Sequence, residues 1–157
     1  AASRLDFWKL AWQYFLDHPI TGIGYHAFHH VNPAGLDTHN MYVKQMAELG
    51  IVGITLFLTL YVIAMIIAIR LYKIGDTPML KSMGLGLIMC ILSSMVLNMF
   101  GDRFSYTALS ANYWVLLGMS VRAIHIVRTR PPPETPGEPG DRKEDAPPPR
   151  RGSIFAR

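Results

Sequence analysis

A single cysteine, Cys90, is all the thiol chemistry in this 157-residue chain, so neither a disulfide framework nor a cysteine-built zinc site can be made within it. Cys90 itself sits in an apolar stretch and reads as a small packing residue. The first residues, AASRLDFW, lack an initiator methionine and the basic, apolar and small-residue regions of a signal peptide. No basic patch interleaved with aromatics occurs, which removes the usual footprint of a nucleic-acid partner. Charge is also scarce in the middle of the chain, where residues 51–69, 83–100 and 104–121 contain no Asp, Glu, Lys or Arg.

Each of these runs is close to the ~20 residues that cross ~30 Å of hydrocarbon at ~1.5 Å per residue. We therefore expect three transmembrane helices, within residues 51–127. The second run carries Gly84 and Gly86, which membrane helices tolerate better than soluble ones. The third holds Asn112, which favours a protein-facing or interfacial position over bare lipid. Cations set the orientation: Arg70, Lys73 and Lys81 lie between the first two runs, Arg122, Arg128 and Arg130 follow the third, and only Arg103 separates the second from the third. By the excess of Lys and Arg on cytoplasmic loops, the first loop and the C-terminus are cytoplasmic and residues 1–50 are periplasmic. The net charge of +4 is then mostly this asymmetry. Residues 1–50 must be translocated without a leader of their own, so the chain is expected to be the C-terminal piece of a larger polytopic protein. Residues 128–157 hold eight of the eleven prolines and almost nothing apolar, a composition that cannot offset the entropy of ordering, and are expected to be a disordered cytoplasmic tail.

In the periplasmic segment, Ser3 and Asp6 resemble a capping box, and Leu5, Trp8, Trp12, Phe15 and Leu16 recur at helical spacing. This predicts an amphipathic helix over residues 4–17, ended by Pro19, which pushes His18 out of the helical region. Its two tryptophans suit either the headgroup level or packing against sibling helices. A loop rich in Gly, Pro and Asn follows. Five of the six histidines fall between residues 18 and 39, and His26, His29, His30, Asp37 and His39 invite a metal-handling or transport reading. The adjacent pair His29 and His30 lacks ligand spacing, so no metal site is expected. Gly22 and Gly24 have no third glycine in register and no preceding strand, which points to a turn and not to a nucleotide fingerprint.

His39 differs from the other histidines. Asp37 or Thr38 can cap a helix beginning at His39, with Tyr42, Met46 and Leu49 recurring behind it. A helix N-terminus disfavours a positive neighbour, so a neutral, proton-accepting imidazole fits there, as a general base requires. An ordinary structural hydrogen bond is the competing explanation. Glu48, nine residues on, faces away from His39 and is excluded as its orienting partner.

Two linked stretches carry a resemblance. His39-Asn40, nine residues, Gly50, two residues and Gly53 form an HN-x9-GxxG pattern that resembles the signature of bacterial O-antigen ligases and surface-polysaccharide polymerases. The preceding helix and HPITGIGYHAF are similar to the family's R…W…A…F…HPxxGxGxxxF segment, with Arg4, Pro19, Gly22, Gly24 and Phe28 in register. Position 26 is His where the family more often has Gly. The resemblance implies a membrane glycosyltransferase that needs no metal or other cofactor, built as part of a GT-C-like polytopic fold in the bacterial inner membrane. Its partners would be an undecaprenyl-diphosphate-linked glycan donor, a lipid A-core or other lipid-anchored or glycan acceptor, and membrane lipid. By the same carry-over His39 is the general base, Arg4 holds the donor diphosphate, Asp102 is a second acidic candidate, and Asn40 and His26 border the substrate. A guanidinium binds phosphate oxygens through a planar fork and stays charged, which suits Arg4 to that role. The family has further spans and an essential arginine in earlier loops, so these residues alone are expected to be inactive. A polymerase of the same superfamily differs only in its acceptor.

Overall fold

A computed structural model describes residues 4–131. Ser3, half of the expected capping box, and the expected tail from residue 132 onward lie outside the described residues. The described chain is helical throughout: α1 (Arg4–Asp17), α2 (Phe28–Val31), α3 (Met41–Ile74), α4 (Pro78–Leu97), a 3-10 turn (Arg103–Ser105) and α5 (Thr107–Thr129), with no strand among the described residues.

The core of the fold is the antiparallel pair α3 and α4, which is joined by a tight turn. Thr77 caps α4 by accepting the Leu80 N–H, and Pro78 occupies its first turn, where a missing N–H costs nothing. Small residues let the two backbones meet: a Cβ at Gly84 would lie 2.6 Å from the Tyr72 nitrogen and 3.0 Å from the Ala68 carbonyl oxygen, the close approach that membrane helix pairs use. Ala64, Ala68, Leu87 and Ile91 are fully buried along this seam. α5 packs across it through Tyr113, with Ala123 and Ile124 against Leu71 at the far end. Arg130 pairs with Asp76 and ties the end of α5 to the α3–α4 turn.

Both α3 and α4 are long and apolar enough to cross a membrane. Their outward faces are apolar as well, since Leu56, Val62, Ile63 and Ile66 of α3 and Met89, Leu92 and Val96 of α4 are exposed. A core helix of a water-soluble protein would have hidden them. α3 is longer than the apolar run 51–69, because the short helix expected at residues 39–49 joins it across a kink at Gly50. Asn112, expected at a protein-facing or interfacial position, is exposed on α5, and its amide is satisfied by the Ala108 carbonyl of its own helix at 2.9 Å.

α1 has the expected bounds. Phe7 and Ala11 are buried, with Leu10 and Tyr14 beside them, against Phe28 and Ala47. Leu5, Trp12 and Leu16, expected either at the headgroup level or packed against sibling helices, form an exposed apolar stripe on the opposite face. The helix is therefore apolar on two sides, a pattern the tryptophan spacing alone did not separate.

Candidate functional site

The two glycine motifs form one structure. At Gly50 the backbone turns to φ 63° and ψ −157°, values that glycine adopts without a Cβ penalty. An unbroken helix would pair the 47 and 48 carbonyls with the 51 and 52 amides. Here those groups bond to the loop: Ile23 and Gly24 donate to the Ala47 and Glu48 carbonyls at 3.1 and 2.9 Å, while Ile51 and Val52 donate to the Pro19 and Ile20 carbonyls at 2.8 and 3.4 Å. The kink thus leaves those four groups satisfied. The fit admits no side chain, since a Cβ on Gly22 would collide with the Glu48 carbonyl and one on Gly50 with the Ile20 carbonyl.

Glu48, only 1% exposed, fastens the other side of the loop. Its carboxylate accepts the His26 N–H at 3.0 Å and the Phe28 N–H at 3.1 Å. This bends the chain sharply enough that His26 takes φ 60°. His26 and His39 are the two non-glycine residues at positive φ among those described, a conformation uncommon for any residue with a Cβ. Glycine would take this conformation at position 26 without a Cβ penalty.

His39 is not in the first turn of a helix. Asn40 is the cap, its side-chain oxygen accepting the Tyr42 and Val43 amides at 3.0 and 3.2 Å, and α3 begins at Met41. The short amide of asparagine reaches those orphan donors. The cap is also anchored to the end of α4: Asn40 donates to the Met99 carbonyl at 3.2 Å and Met41 to the Asn98 carbonyl at 2.9 Å. Thr38 and Asn40 are buried on either side of His39, which is exposed. The Trp8 indole donates to the Thr38 carbonyl at 3.0 Å. Arg4 precedes Trp8 by four residues, the spacing that puts two side chains on one helix face, so the indole brings the exposed Arg4 face of α1 to the His39 strap.

Asp102 is placed by a buried polar chain. The Asn98 amide donates to the Tyr61 hydroxyl at 2.8 Å, Tyr61 shares a hydrogen with Ser94 at 2.6 Å, and Asn98 accepts the Phe104 N–H at 3.1 Å. This fixes the turn after α4, and Asp102 reaches the Lys44 ammonium at 3.5 Å, while Asp37 reaches it at 2.6 Å. Lys44 stands before the kink, outside the 51–69 run. Burial pulls its pKa down, but the Asp37 hydrogen bond and the charges of Asp37, Glu48 and Asp102 outweigh that and leave it above the ordinary 10.5. A cavity of about 400 Å³ opens beside this lysine, lined by His26, Lys44, Gln45, Glu48, Asp102 and Ser105 among others. His39 and Arg4 do not line it.

The histidine loop brings its rings together, with centroids 4.4 Å apart for His26 and His29 and 3.6 Å for His29 and His30. Even so, no group of three or more His, Cys, Asp or Glu among the described residues could hold a metal ion.

Residues 1–58 match the family model for O-antigen ligases. This N-terminal segment is thus similar to an O-antigen ligase-related domain. No curated protein matches the chain. The matched segment ends within α3, so it contains α1, the docked loop, the His39 strap and the Gly50 kink. The apolar helices α3 and α4 and this match agree with a membrane setting, as the glycan-handling ligase and polymerase superfamily has. Lys44, Gln45, Asn98 and Tyr61, around the cavity and the turn after α4, were not anticipated from the sequence. For Asn98 a signal existed, an amide near the end of a charge-free run, where membrane helices rarely leave a polar group unpaired.

Proposed function

We propose that the protein transfers a glycan from undecaprenyl diphosphate to an acceptor hydroxyl, a lipid A-core sugar in the ligase case, on the outer face of the cytoplasmic membrane. His39 takes the proton from the acceptor hydroxyl, whose oxygen forms the new bond to the anomeric carbon. The bond from that carbon to the diphosphate breaks, and Arg4 stabilises the departing undecaprenyl diphosphate. In this reading α5 is a third span, residues 1–50 are periplasmic, and the whole is part of a GT-C-like fold. The exposed stripe Leu5, Trp12 and Leu16 suits α1 to the headgroup level, where both lipid-linked substrates present their reacting ends.

The observation that carries this reading is the setting of His39. An exposed imidazole with φ 52° is held out by a strap whose other residues are buried and hydrogen-bonded, and backbone of this kind persists only where its surroundings impose it. The Trp8 bond to Thr38 ties the strap to the helix that carries Arg4, which supports pairing the proton acceptor with the charge for the leaving group.

The test is transfer from an undecaprenyl-diphosphate donor in vesicles carrying the full-length protein, wild type against His39→Ala, each with and without EDTA. Loss of a general base lowers the rate by ~10²–10⁴-fold, and chelation is expected to change neither protein. Full activity in His39→Ala would remove His39 from the chemistry, and loss on chelation alone would bring in a metal.

A further inference from the structure

We propose that the cavity between the Tyr25–His26 bend, the first turns of α3 and the 102–105 turn is a sugar subsite that seats an uncharged or amino sugar and rejects acidic sugars, with Lys44 as the positioning residue that holds Asp102 on its wall. That the sugar belongs to the transferred glycan or its acceptor rests on the transferase reading; the charge preference does not.

Size, lining and an idle polar group support this. The volume of about 400 Å³ falls in the ~300–1,000 Å³ range of small-molecule sites and accommodates a short piece of a glycan, not its length. Gln45 lines the cavity and is only 8% exposed. Its side chain has a single hydrogen-bond partner among the described residues, the Met41 sulfur at 3.9 Å, a weak acceptor. A buried amide so poorly served suits a ligand with both donors and acceptors, as sugar hydroxyls are. Tyr25, also on the wall, is 79% exposed, and its ring face can meet the C–H face of a sugar ring.

The sign of the selection follows from the charges. Glu48 and Asp102 are on the wall, and the lysine among them is already shared by Asp37 and Asp102. Three carboxylates therefore face one ammonium. An entering carboxylate has no free cation to meet, whereas hydroxyls find acceptors and an ammonium finds counter-charge. Removing the cation at Lys44 sharpens the preference for a positive sugar and releases Asp102.

Saturation-transfer NMR on the full-length protein in nanodiscs, with methyl glucoside, methyl glucosaminide and methyl glucuronide as probes, tests this without turnover. The wild type is expected to bind the first two and to bind the glucuronide at least about ten-fold more weakly, as like-charge juxtaposition demands. Ser105→Trp, an exposed position on the cavity wall, is expected to abolish binding of all three. Lys44→Met is expected to raise the glucosaminide-to-glucoside ratio and Lys44→Arg to restore it. Equal binding of the three probes, or binding indifferent to Ser105→Trp, overturns the subsite. A uniform loss in Lys44→Met reduces Lys44 to a structural role and overturns that assignment. Glycan transfer with no probe binding overturns the subsite and leaves the transferase reading standing; probe binding in a wild type that transfers nothing does the reverse.

Discussion

Thr38 and Asn40 close on each other around His39: the Thr38 hydroxyl donates to the Asn40 carbonyl at 2.8 Å and accepts the Asn40 N–H at 3.3 Å. Both residues are buried, the residue between them is not, and its φ of 52° follows from that closure. One hydroxyl thus determines where the imidazole of the proposed base points.

Thr38→Val keeps the shape of the side chain and deletes the hydroxyl. Two buried bonds are lost, and although the Asn40 carbonyl keeps the Lys44 N–H at 3.0 Å, the Asn40 N–H loses its acceptor, so unfolding should be easier by about 1–3 kcal/mol. Transfer is expected to fall with His39 still present, and Thr38→Ser to restore most of it. Thermal unfolding in nanodiscs and the vesicle transfer assay give the two readouts. Unchanged transfer in Thr38→Val would mean that the strap does not position His39.

The interlocked glycines allow a sharper comparison. Gly50 and Gly35 both have positive φ, 63° and 61°, so an alanine is strained at either, and more so at Gly50, whose ψ of −157° lies in a region open essentially to glycine alone. At Gly35 a Cβ meets nothing within 4 Å, whereas at Gly50 it strikes the backbone of Ile20. Gly35→Ala should therefore fold with a modestly lowered melting temperature, and Gly50→Ala should lose the docked loop altogether. Limited proteolysis between residues 19 and 28 distinguishes them. Equal protection in both variants would mean that the loop does not depend on the kink.

This comparison also shows what the sequence made legible. Helical periodicity and charge-free runs located α1, α3 and α4, because burial and lipid exposure both act on side chains at fixed spacing. The HN-x9-GxxG register singled out Gly50, which proves to be the break. It did not reveal that HPITGIG fills that break, since the pairing runs through backbone groups that every residue has. Glu48 was correctly excluded as a partner for His39, but its bonds to two loop amides depend on a fold-back of 20 residues that no local pattern encodes. The His39 helix start failed for a local reason: Asp37, Thr38 and Asn40 are all good caps, and the choice between them was made by Asn98 and Met99, which hold Asn40 and Met41 from the end of α4.

His26→Gly separates fold from site. The left-handed backbone at residue 26 costs nothing for glycine, and the N–H donated to Glu48 is retained, so relief of about 1 kcal/mol is expected. The imidazole is lost from the cavity wall. The melting temperature should hold or rise while transfer drops several-fold. A fall in both would show that the ring supports the fold, and a rise with unchanged transfer would remove His26 from the substrate.

The ion pairs of Lys44 predict a pH dependence of definite sign. Its pKa lies above 10.5 in the folded protein, because Asp37, Glu48 and Asp102 outweigh the cost of burial, so the folded state holds this proton more tightly than the unfolded chain does. The resulting stabilisation is fully present below the unfolded value and is lost as pH rises through the folded one. Lys44→Met retains most of the volume but leaves Asp37 and Asp102 without their shared cation, so it should be the less stable protein at neutral pH. The gap in melting temperature between wild type and Lys44→Met should stay level to about pH 10 and narrow above it, as the wild-type lysine loses its charge. Taking the difference cancels other groups that titrate in the same range. A gap that stays constant through that window would mean that the charge of Lys44 does not hold the Asp102 turn in place.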